Sequence, residues 1–174
     1  IPSNIDMAVI NDEFNNLTAR DLIFNMDLEQ VKNDYDFVII DLPPALNVFV
    51  TAVFFASDEI YIPITPSPYA MRGLDALLGF VQAVDQYFGA MKNGKTYTAC
   101  FLTRYKENEI ASQKTLEKLK ETDLNVFETK IRNSTQVDKG LYNQKTITEF
   151  DPTNNTAIDY FSFVDEILGV INND

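Results

Sequence analysis

Asp41 is the side chain of this sequence best placed to do chemistry. Residues 37–40 read Phe-Val-Ile-Ile, an apolar run that suits a strand buried on both faces of a parallel sheet. Pro43 and Pro44 cannot continue such a strand, so the chain must turn there and leave Asp41 at its carboxyl end, where open α/β sheets bind ligands. A carboxylate in that place can hold Mg²⁺ beside nucleotide phosphates, usually with water still on the metal. We therefore predict a strand over 37–41 that ends in a metal ligand; a plain turn residue is the competing interpretation.

A second stretch, residues 89–96, matches the phosphate-loop pattern G-x-x-x-x-G-K-[ST] at every position. That pattern binds phosphate only where a strand leads into the loop and a helix begins at its end. Here apolar residues at helical spacing precede the match, and the strand-like run 97–102 follows it. Gly89 and Gly94 are better explained as helix-stop and turn glycines. We predict that the match is accidental.

Composition limits the chemistry further. The chain has 174 residues of which 45% are apolar, enough for one domain over residues 1–174. It has no His, which excludes Ser–His and Cys–His catalysis and removes the commonest zinc ligand. Its one cysteine, Cys100, falls in a predicted strand and is expected to be a buried thiol. We expect a cytoplasmic protein without zinc.

The net charge of −12 is unevenly distributed along the chain. Residues 1–91 carry 3 basic and 13 acidic side chains, whereas residues 92–145 carry 11 basic and 7 acidic ones. Residues 146–174 carry 6 acidic side chains and no basic one. The central segment could form a patch for phosphate backbones, or its lysines could simply solvate surface helices. The candidates for DNA phosphate contacts are Lys114, Lys118, Lys120 and Arg132.

Hydrophobic periodicity predicts strands that alternate with helices. Helices are expected over 17–31, 47–56, 70–88, 111–122 and 156–171. Strands are expected over 37–41, 59–64, 97–103 and 126–131. This alternation predicts an α/β fold, a doubly wound and mostly parallel sheet with helices on both faces. The last helix is expected to bury Ala157, Phe161, Val164, Ile167, Leu168 and Ile171.

Five blocks, in order along the chain, resemble one family, the deviant-Walker partition ATPases of the ParA/Soj/MinD group. Residues 35–44 are similar to the second nucleotide motif of that family (Walker B), including its paired prolines, and residues 1–8 are similar to the stretch before it. Residues 58–73 resemble the next strand and the loop that begins the long helix. Residues 126–133 resemble the strand and loop that border the base. Residues 150–160 resemble the closing segment.

The resemblance implies a P-loop NTPase-like fold that is incomplete, because the phosphate loop and first switch of the family would lie upstream of Ile1. It implies ATP and Mg²⁺ as cofactors of the intact protein, a switch loop at Pro43 and Pro44, and no catalytic residue in this chain. We expect the chain alone to bind no nucleotide tightly and to be catalytically inactive, whereas the intact protein would be an ATP hydrolase. A natural pseudo-ATPase scaffold or regulator of the same fold is the alternative.

The same resemblance implies partners and a site at the strand ends. The intact protein is expected to be a homodimer that binds nonspecific DNA and a ParB-like centromere-binding adaptor, and to lie in the cytoplasm at the nucleoid. Thr103 and Arg104, after the third predicted strand, and Arg132 and Asn133, after the fourth, are expected to contact the base or ribose; surface turns are the alternative. No membrane partner is expected, because residues 160–174 contain no Lys or Arg.

Overall fold

The computed structural model of the chain describes residues 20–42, 47–89, 91 and 96–171. Helices and strands alternate through most of these residues. The helices are α1 (Arg20–Val31), α2 (Val48–Ala56), α3 (Ala70–Phe88), α4 (Ile110–Lys120), α5 (Thr135–Tyr142), α6 (Ile147–Phe150) and α7 (Asn155–Ile171). The strands are β1 (Glu59–Ile64), β2 (Tyr97–Tyr105) and β3 (Asn125–Arg132). Among the described residues no helix is both long enough and apolar enough to cross a membrane.

The strands of the described residues form one sheet in the order β1-β2-β3. Strands β2 and β3 are parallel, with Cys100 opposite Val126 and Leu102 opposite Lys130. Two residues of β2 therefore span four of β3, which makes β3 bulge between those pairs. Parallel strands joined by helices confirm the predicted α/β fold.

The described residues fall into two compact units. The first takes its residues from Ile1–Ile60 and Asp75–Tyr97. Its core is α2, which begins where the Asn47 side chain accepts a hydrogen bond from the Val50 N–H at 3.0 Å. Phe54 of α2 packs edge-on against Phe80 of α3, with the ring centroids 5.7 Å apart. The helix predicted over 47–56 is confirmed, with Asn47 as its cap.

The second unit takes its residues from Tyr61–Leu74 and Thr98–Asp174. Its core joins the sheet to α7, where the Phe163 ring lies 4.2 Å from the Phe101 ring and 5.0 Å from the Phe127 ring between centroids. The predicted face of this helix is only partly right. Ala157 is fully buried, but Phe161 and Val164 are 52% and 50% exposed. Polar contacts between α7 and β3, described below, set the rotation of the helix.

The predicted strand over 37–41 is wrong for the described structure. These residues form no strand, and Phe37, Val38 and Ile39 are 56%, 50% and 94% exposed. An apolar run indicates suitability for burial, but a strand also needs a neighbour that pairs its backbone N–H and C=O groups. The ladder β1-β2-β3 of the described residues does not include this segment.

Helices α5 and α6 were not predicted. Each is short, but each carries a start signal in the sequence. Ser134 caps α5 by accepting a hydrogen bond from the Gln136 N–H at 3.2 Å. Thr146 and Glu149 form a reciprocal capping box at the start of α6. That contact lowers the pKa of Glu149, because the carboxylate accepts the Thr146 N–H.

Candidate functional site at the carboxyl ends of β2 and β3

The carboxyl ends of β2 and β3 bring together the residues predicted to contact a nucleotide base or ribose. Tyr105 lies opposite Arg132 in the parallel register. Directly beyond that pair, the Asn133 N–H donates to the Tyr105 carbonyl oxygen at 2.9 Å. Thr103 and Arg104 at the end of β2 are therefore joined to the Arg132–Asn133 segment, as expected for parallel strands that end at one edge.

Arg104 has a backbone conformation that non-glycine residues rarely adopt. Its φ is 53°, and it lies where the register between β2 and β3 shifts, between Leu102 and Tyr105. Backbone strain of this kind clusters at functional sites, because surrounding structure must hold it in place. The Arg104 side chain is exposed, and it makes no hydrogen bond or ion pair with any residue that the structure describes. Its guanidinium N–H groups can therefore donate hydrogen bonds to acceptor atoms of a ligand.

Arg132, in contrast, already donates hydrogen bonds to another residue of the protein. Its Nε lies 2.8 Å from Asp159 Oδ2, its Nη2 lies 2.6 Å from Asp159 Oδ1, and its backbone N–H donates to Oδ2 at 2.9 Å. Donation of these hydrogen bonds to the Asp159 carboxylate raises the pKa of Arg132 above its usual value. These donors already bind other groups of the protein. The predicted contact of Arg132 with a ligand or with DNA would therefore have to use Nη1, the remaining guanidinium nitrogen.

Helix α7 supplies further contacts to the same strand. Thr156 Oγ1 donates to the Arg132 carbonyl oxygen at 3.1 Å. The Glu166 carboxylate accepts the backbone N–H groups of Glu128 at 2.6 Å and Thr129 at 2.9 Å, within the bulge of β3. Asp159 and Glu166 were not singled out from the sequence. Their spacing of seven residues, which places both carboxylates on one face of a helix, is the signal that could have identified them.

A lysine and an aromatic ring, Lys130 and Tyr105, lie in contact near this edge of the sheet. Lys130 Nζ lies 5.8 Å from the centre of the Tyr105 ring, within the range of a cation–π contact. The ring and the ammonium group are both partly exposed. With Arg104, Lys130 supplies a second cationic side chain near this end of the sheet.

The lysines predicted to bind DNA lie on α4. Lys114, Lys118 and Lys120 are all exposed. Glu117 and Glu121, which could have paired with them, form no ion pair with them among the described residues. Leu119 of the same helix is fully buried, so the lysine side of α4 is its solvent side.

The predicted metal ligand Asp41 is exposed and belongs to the first unit. The part of the chain that the structure describes contains no group of three or more acidic or cysteine side chains close enough to share a metal ion. Pro43 and Pro44, the predicted switch loop, lie outside the described residues. The roles of these three residues remain predictions.

Around the phosphate-loop match, the structure has the predicted order of helix before strand. Helix α3 ends at Phe88 and β2 begins at Tyr97. A Cβ atom on Gly89 would lie 2.6 Å from the Asp85 carbonyl oxygen, which explains a helix-stop glycine there. Gly94 and Lys95 lie outside the described residues. The order is the reverse of the one that a phosphate-binding loop requires.

Comparison with known proteins adds a family and a fold. Residues 1–93 match a family model described as "AAA domain". The sporulation initiation inhibitor protein Soj of Bacillus subtilis is 27% identical over 168 residues, which is 96% of this chain and 65% of Soj.

Two solved structures are similar in fold. A putative plasmid partition protein from Borrelia burgdorferi B31, bound to AMPPNP, superimposes with a TM-score of 0.75 at 21% identity, over 97% of this chain and 63% of that one. Cobyrinic acid a,c-diamide synthase from Mycobacterium smegmatis, with a bound ATP analog and magnesium, superimposes with a TM-score of 0.66 at 21% identity, over 82% and 61%. They confirm an α/β, P-loop NTPase-like fold. The chain spans less than two thirds of the length of each of these proteins.

Proposed function

Because the chain belongs to the AAA domain family, in its ParA/Soj/MinD-type partition ATPase group, we propose that it is a segment of a ParA-like ATPase for plasmid or chromosome partitioning. The similarity to Soj over 96% of the chain is the observation that carries this proposal. The intact protein is then an ATP- and Mg²⁺-switched homodimer. It acts in the cytoplasm on nucleoid DNA and responds to a ParB-like adaptor.

The ends of β2 and β3 support a nucleotide role for this segment. Thr103, Arg104 and Asn133 lie at the edge where parallel α/β sheets bind ligands, and Arg104 carries a cation on a strained backbone. We assign these residues to the base or ribose. Asp41 is assigned to the metal, on its resemblance to the Walker B acid alone. The two solved structures with bound nucleotide analogs are consistent with such a site in proteins of this fold.

For this chain taken alone, we propose that ATP binding is weak and hydrolysis absent. Phosphoryl transfer depends on positioning and charge stabilisation by a cradle of backbone N–H groups and a lysine. The sequence offers one pattern match for such a cradle, and it lies between helix α3 and strand β2. Calorimetric titration with MgATP should show no binding at micromolar concentrations. A micromolar dissociation constant would contradict this.

DNA binding is assigned to the solvent side of α4. Changing Lys114, Lys118 and Lys120 together to Gln should weaken binding to a nonspecific duplex. The slope of log affinity against log salt should become shallower by about 3, because each phosphate contact releases roughly one counterion. Lys32, Lys139 and Lys145 changed together to Gln are the matched control, with the same loss of charge elsewhere. Equal effects of the two triple variants, or binding that does not depend on salt, would contradict the assignment.

A further inference from the structure

We propose that Asp159 is a positioning residue of the strand-end site, which holds Arg132 so that Asn133, the next residue, is presented to a bound nucleoside. This inference rests on the proposed function, because it needs a nucleoside at the ends of β2 and β3. Asp159 lies on α7 and is not among the residues that the sequence predicts for this site.

The hydrogen bonds of Asp159 show how firmly it holds Arg132. One carboxylate accepts the backbone N–H of Arg132 at 2.9 Å and, in a forked arrangement, the Nε and Nη2 groups of the same residue. Asp159 is 8% exposed, so this pair is shielded from solvent on the side of the carboxylate. Main chain and side chain of Arg132 are thus fixed by one group, and forked charge-assisted bonds are both strong and directional.

Asn133 is fixed from both sides as a result. Arg132 precedes it in the chain. The N–H of Asn133 donates to the Tyr105 carbonyl oxygen at 2.9 Å. Ser134 follows it and caps α5. The Asn133 side chain is exposed and makes no hydrogen bond to any residue in the described part of the chain. An amide offers a donor and an acceptor together, the combination that pairs with the edge of adenine.

Asp159 is not the only residue that holds α7 on β3. Glu166 already binds two backbone N–H groups in the bulge of β3, and Phe163 packs on the sheet between them. An ion pair whose arginine is solvent-exposed is moreover weak evidence for stability, because solvent screens much of its attraction. The distinguishing feature of Asp159 is its place: it binds the last residue of β3, directly before the residue assigned to the base.

The test uses the full 174-residue chain with adenosine as the probe, at millimolar concentration, followed by NMR. Adenosine avoids the need for a phosphate loop. The readouts are the adenosine-dependent shift of the Asn133 side-chain amide and the hydrogen-exchange rate of Arg132 Nε–H. Asp159→Asn keeps the size of the side chain but removes its charge, and Asp159→Glu restores the charge. Asp165→Asn is the matched control, an exposed acid on the same helix.

We expect Asp159→Asn to speed exchange at Arg132 Nε–H and to raise the dissociation constant of adenosine by about tenfold, the effect of losing one well-oriented hydrogen bond. Asp159→Glu should recover part of the affinity, and Asp165→Asn should change neither readout. A purely structural role predicts faster exchange with adenosine affinity unchanged within about twofold, and that result would overturn the inference while leaving the proposed function intact.

A measurement on the unaltered chain keeps the proposal testable if Asp159→Asn does not fold. Because coupling between two sites is reciprocal, bound adenosine should slow exchange at Arg132 Nε–H. Unchanged exchange at saturating adenosine would overturn the positioning role. Failure of adenosine to shift Asn133 at all would instead overturn the assignment of the base to this edge, and the inference with it.

Discussion

The hydroxyl of Thr96 donates a hydrogen bond to Asp85 Oδ1 at 2.9 Å, so the last residue of the phosphate-loop match is bound to the helix that precedes it. In a working phosphate loop, the hydroxyl at this position binds Mg²⁺. Here Thr96 is 8% exposed and the hydroxyl links α3 to the start of β2. The residue that completes the sequence pattern therefore has a structural role.

Thr96→Val should lower the free energy of unfolding by about 1–3 kcal/mol, because it leaves the partly buried Asp85 carboxylate without this donor. Thr96→Ser keeps the hydroxyl and is the matched control. Urea denaturation of the two variants measures the difference. Equal stability of the Val and Ser variants would show that the hydrogen bond contributes nothing.

Arg104→Gly should raise the free energy of unfolding by about 1 kcal/mol, because glycine adopts a positive φ without the steric cost that other residues carry. Arg104→Ala keeps the strained backbone while removing the same charge. Thermal and urea denaturation should therefore rank the glycine variant above the alanine variant. If alanine is as stable as glycine, the φ of 53° carries no strain. Both variants should weaken adenosine binding, since both lack the guanidinium.

Cys100 should make stability depend on alkaline pH. Burial raises the pKa of this thiol from 9.0 to about 11, so the folded chain keeps a proton that the unfolded chain loses. Its contribution to stability is fully present below pH 9.0 and is lost as the pH rises towards about 11. Urea denaturation measures the free energy of unfolding of the unaltered chain and of Cys100→Ala. The difference between the two proteins should be smaller at pH 10 than at pH 7. A constant difference would mean that the thiol titrates normally.

Glu166→Gln should destabilise the fold by about 1–2 kcal/mol, because a neutral amide accepts the N–H groups of Glu128 and Thr129 less strongly than a carboxylate does. Asp165→Asn, on the solvent side of the same helix, should stay within about 0.5 kcal/mol of the unaltered chain. Hydrogen exchange at Thr129 should accelerate in the Gln variant alone. Unaltered exchange there would show that the contact is not formed in solution.

Helices and strands with a clear signal in their own residues could be predicted from the sequence. The bounds of β1 and α3 match the prediction, because a β-branched run closed by prolines and a long amphipathic stretch have few alternatives. The capping box of Thr146 and Glu149 was present in the sequence, but the four-residue helix that it begins is shorter than hydrophobic periodicity can detect.

The remaining features depend on contacts distant in sequence. Helix α7 has apolar residues around most of its circumference, so periodicity could not decide between Phe161 and Phe163 as the buried position. The hydrogen bonds of Asp159 and Glu166 to β3 decide it. Arg132 and Asp159 are 27 residues apart, and the positive φ of Arg104 has no sequence signature, so neither could be predicted without the register of β2 and β3. The run 37–41 failed as a strand for a related reason, since pairing depends on a neighbour that the run itself does not specify.

The contacts of α7 also restrict how two copies of the chain could associate. Three backbone N–H groups of β3, at Glu128, Thr129 and Arg132, already donate to side-chain carboxylates. An incoming strand from another molecule would need such groups to lengthen the sheet on this side, and would first have to detach the helix. Continuous intermolecular sheet formation along β3 is therefore disfavoured.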